Sequence, residues 1–198
     1  MSAPDAVLVA QVREALAAAG DPERATWEAT VRELWDGATH REERYAATTL
    51  AEHRCAREWQ DPEVLGLYRH LVVTGAWWDH VDRIASHLVG GVLAGHREAV
   101  TPVMDAWAVD DDLWLRRTAI LSQLGHKEDT DTALLRRCVL ANLEGSRFGS
   151  EFFVRKAVGW ALRQHARTDP EWVLALVDEL GDRLSGLSRR EALKHLGG

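Results

Sequence analysis

The chain has 198 residues, 46% of them apolar and 28% charged, and a net charge of −7, the profile of a soluble globular chain with a sizeable core, organised over 1–198 as a single domain or repeat array. Its two cysteines, Cys55 and Cys138, are far apart and form no Cys-x-x-Cys pair, which argues against a disulfide framework or structural zinc and for a reducing compartment. No run of about 18 apolar residues and no basic leader followed by an apolar stretch occurs, so the expectation is no membrane span and a cytoplasmic location.

Prolines open the reading along the chain. Pro22, Pro62, Pro102 and Pro170 follow Asp21, Asp61, Thr101 and Asp169, and three of the four precede a glutamate. A capping residue, then proline, then an acid is the pattern of a helix start, where the missing N–H costs nothing and the helix dipole favours negative charge. Thr39 to Glu42 and Ser188 to Glu191 read as two capping boxes. Apolar residues recur at helical spacing between these starts, and no persuasive alternating strand run is present. The expected helices are 5–19, 22–36, 40–58, 62–74, 77–88, 90–108, 112–125, 130–143, 150–167, 170–184 and 188–196.

The first three prolines are 40 residues apart, the repeat length of paired-helix arrays of the HEAT class. The expected fold is therefore all-α, a HEAT-like solenoid with a concave inner face on which a partner binds. Charge is unevenly distributed along it. Between Arg147 and Arg167, Arg147, Arg155, Lys156, Arg163 and Arg167 face the single acid Glu151, whereas the stretch from Asp21 to Glu63 is acidic. Since exposed charges are screened beyond roughly 8–10 Å, the acidic total does not exclude a nucleic-acid partner.

Nine tryptophans are many for this length. Trp27, Trp35, Trp59, Trp107, Trp114 and Trp172 sit in apolar periodic contexts and read as core. Trp78 and Asp82 differ: at i, i+4 on a helix they place an indole face beside a carboxylate, a pair suited to a cation or to a sugar becoming one. Asp79 reads as a solvated first-turn acid. Arg116 and Arg117 follow another helix start, one directed to the helix surface and the other to the concave face. Lys156, Trp160 and Arg163 fall on one stripe at i, i+4, i+7. Taken alone, these residues are open to packing as well as functional readings. The nine histidines show no metal-ligand spacing, and neither a metal nor a cofactor is expected.

Five ordered blocks carry a resemblance: Arg32-Glu-Leu-Trp35, Trp77-Trp-Asp-His-Val-Asp82, Trp114-Leu-Arg-Arg-Thr-Ala-Ile-Leu121, Glu151 to Arg163, and Leu187 to His195. From about Ala29 to the C-terminus the chain resembles the AlkD-type DNA alkylation repair glycosylases. The resemblance implies Asp82 as catalytic carboxylate, with Trp78 and Trp160 beside the damaged nucleotide. It also implies Arg117 as a phosphate contact, Lys156 and Arg163 as helpers in binding double-stranded DNA, and excision of N3- and N7-alkylated purines without base flipping by a monomer. The N-terminal region reads as shorter than in the family by about one helical hairpin. The competing expectation is a non-catalytic HEAT-like scaffold for DNA or protein. Convergence of Trp78, Asp82 and Trp160 on one cleft favours the enzyme; burial of Asp82 against a structural arginine favours the scaffold.

Overall fold

The computed structural model describes residues 23–196, together with Ala10 and Glu14. Among these, every regular element is helical, and eleven α-helices form a helical-repeat solenoid. In chain order they are α1 (Arg24–Asp36), α2 (Arg41–Ala51), α3 (Leu65–Gly75), α4 (Trp78–Arg83), α5 (Gly90–Gly95), α6 (Arg97–Trp107), α7 (Leu113–Leu121), α8 (Thr132–Leu140), α9 (Phe152–His165), α10 (Pro170–Leu180) and α11 (Gly186–Ala192). Short 3₁₀ turns at Arg54–Trp59, Pro62–Val64, Lys127–Asp129 and Gly181–Arg183 join some of them, and a π-helical turn, Ile84–Val89, fuses α4 to α5.

The expected helix 5–19 and the start at Asp21-Pro22 lie outside the described residues. Two other proline starts form as anticipated. Asp61 accepts from the N–H groups of Glu63 and Val64, and Asp169 accepts from that of Trp172. Pro102 does not start a helix; α6 begins five residues earlier and carries it inside. Val100, Met104 and Trp107 form the buried stripe of α6, and burying it outweighs the lost bond because Glu98, whose carbonyl loses its donor, and Pro102 are both exposed to water. The helices expected at 77–88 and 90–108 divide at His96 rather than at Val89, since the π turn carries the first one through.

Both capping boxes are also redrawn. At α2 the N-cap is His40, and the Glu43 carboxylate accepts from the N–H groups of Thr39 and His40. At α11 Ser185 is the cap, accepting from Ser188 N–H, which leaves Glu191 free for other work.

Packing explains most of the tryptophans. Trp27, Trp35 and Trp107 are buried, and Trp59, Trp114 and Trp172 pack partly buried against the same core. The Trp35 indole donates to Thr74 and lies over Gly75, where an added Cβ would come within 2.7 Å of the ring. Truncating such a buried aromatic to alanine costs about 3–5 kcal/mol. Helix α7 occupies the centre, against α3, α4, α6, α8 and α9, and every residue from Leu115 to Leu121 is buried. Two of those residues are Arg116 and Arg117, so the middle of the fold holds two cations that must find partners.

Candidate active site

Arg116 and Arg117 solve this in different ways. Arg116 donates to the carbonyls of Val109 and Asp110 and to Asn142 Oδ1, and stacks on Phe148. It closes the turn before α7 and does not reach the surface expected from the sequence. Arg117 donates Nε to Asp82 Oδ1 at 2.7 Å and Nη2 to Asp82 Oδ2 at 2.9 Å, while Nη1 donates to the Phe153 carbonyl. One guanidinium thus ties α4, α7 and α9 together. The geometry is the two-bond fork that arginine makes with a carboxylate and lysine cannot.

Local structure aims Asp82 at this partner. Ala76, held in the left-handed region at φ 41°, ends α3, a conformation that costs a non-glycine residue roughly 1–2 kcal/mol. Trp77 then turns the chain back as the extended N-cap of α4, and Asp82 follows one turn inside. The side chain of Asp82 keeps 13% of its surface exposed and that of Arg117 only 5%. Burial pushes the Asp82 carboxyl above the usual carboxylate value, and the Arg117 fork pulls it back part of the way.

An aromatic cluster centred on Phe153 packs against Arg117. Phe153 meets Trp77 at 6.0 Å, Trp114 at 5.2 Å and Phe152 at 5.4 Å, with the Arg117 guanidinium 5.9 Å from its ring. Trp77, Trp78 and Phe152 remain close to half exposed. An apolar, aromatic surface of this kind beside a nearly buried carboxylate suits a ligand with flat or CH-rich faces.

Helix α9 carries the second group. Phe153, Lys156, Trp160 and Arg163 share one stripe, and Trp160, partly buried, sits roughly 10 Å along the helix from Phe153 at 1.5 Å per residue. Lys156 Nζ donates to Glu191 Oε1 at 2.8 Å and Arg163 Nη1 to Glu191 Oε2 at 2.5 Å. The Glu191 carboxyl is lowered, chiefly by its bond from Lys156. The two cations expected as DNA contacts are thus shared with one acid. Helix α11 brings that acid in by crossing α9 at Gly159, where a Cβ would meet Glu191 Cβ at 2.5 Å and the Ser188 carbonyl at 2.9 Å.

Asp79 is not a solvated acid. It accepts from Tyr45 Oη at 2.8 Å and pairs with Arg41 at 3.2 Å. Beside it His80 is buried between Trp35 and Tyr45, with its pKa lowered by desolvation. This network braces the first turn of α4 from the side of α2.

The family model for DNA alkylation repair enzymes matches residues 6–196. The chain belongs to the DNA alkylation repair enzyme family. Among solved structures it is similar to one described as a predicted DNA alkylation repair enzyme from Enterococcus faecalis, at 29% identity and a TM-score of 0.79, over 98% of this chain and 83% of that one. A search of curated proteins finds no match. As a member of this enzyme family the chain has a role in repair of alkylated DNA, and no helix among its described residues is long and apolar enough to cross a membrane.

Sequence reasoning missed Glu191, Phe153 and Trp77 as parts of this candidate site. Glu191 was hidden by its fit to a capping box. Phe153 and Trp77 lie inside the motifs that carry the resemblance, and their i−3 and i−5 offsets from Lys156 and Asp82 give no signal by themselves.

Proposed function

We propose that the chain is a DNA glycosylase that hydrolyses the N-glycosidic bond of cationic N3- and N7-alkylated purines in double-stranded DNA, acting as one copy and without turning the base out of the helix. The observation that carries this reading is the half-exposed aromatic surface of Trp77, Trp78 and Phe152 beside Asp82, whose side chain keeps 13% of its surface open.

Departure of a purine leaves positive charge on the deoxyribose. A neutral base needs a general acid to leave, whereas an alkylated purine already carries that charge. The protein then has to supply a fixed anion where the oxocarbenium develops, and a water held for attack. Asp82 fills both roles through the part of its carboxylate left open. Arg117 is its positioning residue, since three of the guanidinium's donors are engaged before any phosphate arrives. Trp78 and Trp160 hold the sugar against their ring faces, each contributing roughly 0.5–2 kcal/mol. Lys156 and Arg163 outnumber Glu191 and give the flanking surface a positive balance for phosphate.

Two unit charges about 4 Å apart at an effective dielectric near 20 interact by roughly 4 kcal/mol, equivalent to about a thousandfold in rate. Asp82→Asn is therefore expected to slow release of 7-methylguanine from methylated DNA by about two to three decades. Equal rates in mutant and parent would remove Asp82 from the chemistry.

A non-catalytic scaffold is the second reading, and the same Asp82–Arg117 pair favours it, because a forked bond to a buried guanidinium is also how a purely structural ion pair looks. The excision assay separates the two: a scaffold binds methylated duplex and releases no base.

A further inference from the structure

A cleft of about 520 Å³ opens between the 3₁₀ turn after α2 and the fused helix α4–α5, lined by Glu52, His53, Arg54, Arg57, His87 and Gly91 among others. Its charge is unlike that of the chain around it. Glu52 is the one carboxylate in the lining, and both of its oxygens are taken by Arg83 at 2.9 and 2.7 Å. Arg54 and Arg57 are exposed, and among the described residues neither guanidinium meets a carboxylate.

The backbone brings these cations to one place. Side chains at i and i+3 eclipse on a 3₁₀ helix, about 6 Å apart along its axis, so Arg54 and Arg57 stack on one face of the Arg54–Trp59 turn. Glu58, one position on, is turned roughly 120° away by the same geometry and does not line the cleft. His53 caps that turn: its Nδ1 accepts from Cys55 N–H at 3.3 Å, which in the neutral ring leaves Nε2 as the donor. On the opposite wall His87, in the π turn, and Gly91, in α5, both line the cleft. Gly91 leaves room, since a Cβ there would meet nothing within 4 Å.

We propose that this cleft is an anion site for a phosphate group, with Arg54 and Arg57 supplying the charge and His53 and His87 supplying ring N–H donors. Phosphate fits because its several oxygens accept from donors arriving on two walls, and because guanidinium pairs are its preferred protein partners. The group is either a backbone phosphate of DNA or that of a free nucleotide. The inference stands apart from base excision and needs no catalysis to be tested.

The test follows the imidazole resonances of His53 and His87 by NMR in the full chain. Inorganic phosphate should shift both along a saturating curve, whereas chloride at matched ionic strength should not. The double variant Arg54→Gln/Arg57→Gln should weaken the response at least tenfold. Gly91→Glu, which places a carboxylate in open space on a helix, should weaken it as well while the fold is kept. Two further titrations identify the source. If undamaged duplex moves the same resonances, and the double variant lowers the salt slope of duplex binding by about one, the group is a DNA phosphate. If adenosine monophosphate moves them and duplex does not, it is a free nucleotide. A response that fails to saturate, or one equal in parent and both variants, overturns the site.

Discussion

Asp82 and Glu191 are both carboxylates held by cations from neighbouring helices, and they are displaced in opposite directions. Asp82 has one arginine on both oxygens, yet its pKa is raised, because burial acts first and the guanidinium offsets only part of it. Glu191 has a lysine and an arginine, lies nearer to water, and is lowered. Depth rather than the number of positive neighbours decides the sign. The shallow group serves to hold α11 on α9 and to temper a basic surface, whereas the deep one is an anion maintained at a cost, the condition in which a carboxylate can act on developing positive charge.

The sharpest break of this contrast is Arg117→Met, which should lower stability by about 3–5 kcal/mol, because Asp82 is left buried without its counter-charge. Denaturant unfolding measures this. The linked effect in the shallow pair, Glu191→Gln, should cost under about 1 kcal/mol. Similar losses for the two variants would erase the distinction.

Next in size is packing at the crossing that delivers Glu191. Gly159→Ala forces a Cβ into Glu191 and the Ser188 carbonyl and should destabilise by about 1–3 kcal/mol, read as a lower melting temperature. An unchanged melt would mean that α11 can shift away without penalty.

Acidification separates the two carboxylates by sign. The Asp82 pKa is higher folded than unfolded, so this group favours the folded state most at low pH and loses that contribution as pH rises through the folded value. Glu191 is lower folded, and its contribution is present above the unfolded value and lost as pH falls through the folded one. With Asp82 acting as proposed, excision needs it ionised, so the acid limb should lie above the ordinary carboxylate range. Arg117→Lys, which cannot grip both oxygens, should move the limb further toward neutrality in single-turnover rates, and Glu191→Gln should leave it in place. A limb that ignores Arg117→Lys would mean the guanidinium does not set the charge state of Asp82.

The smallest effect is expected in DNA binding. Glu191→Gln frees Lys156 and Arg163, so undamaged duplex should bind more tightly, with a salt slope steeper by about one or two. A slope unchanged from the parent would show that those two cations do not face phosphate.

The sequence disclosed whatever is periodic or local. The all-helical class, the buried tryptophans and the stripe of Lys156, Trp160 and Arg163 follow from spacing within one helix, as do the caps at Asp61 and Asp169. Pairings across the fold were out of reach. Asp82 and Arg117 are 35 residues apart, and nothing in either segment reveals that the helix bearing the arginine is buried all round. Pro102 misled because a proline near a threonine looks the same at a helix start and on an exposed helical face. Glu191 misled because a local box and a long-range ion pair call for the same side chain.

The π-helical turn at Ile84–Val89 follows Asp82 and Arg83 at once, and Gly90 N–H reaches back five residues to the Ala85 carbonyl. Such a turn holds one residue more than the α turn it replaces, and one residue is worth about 100° of rotation about the axis. The end of the helix that presents the carboxylate is therefore dialled independently of the end anchored by Val92 and Leu93. Deleting a single residue between 84 and 89 would swing the whole first half to a new bearing, so the length of this one coil fixes where the acid points.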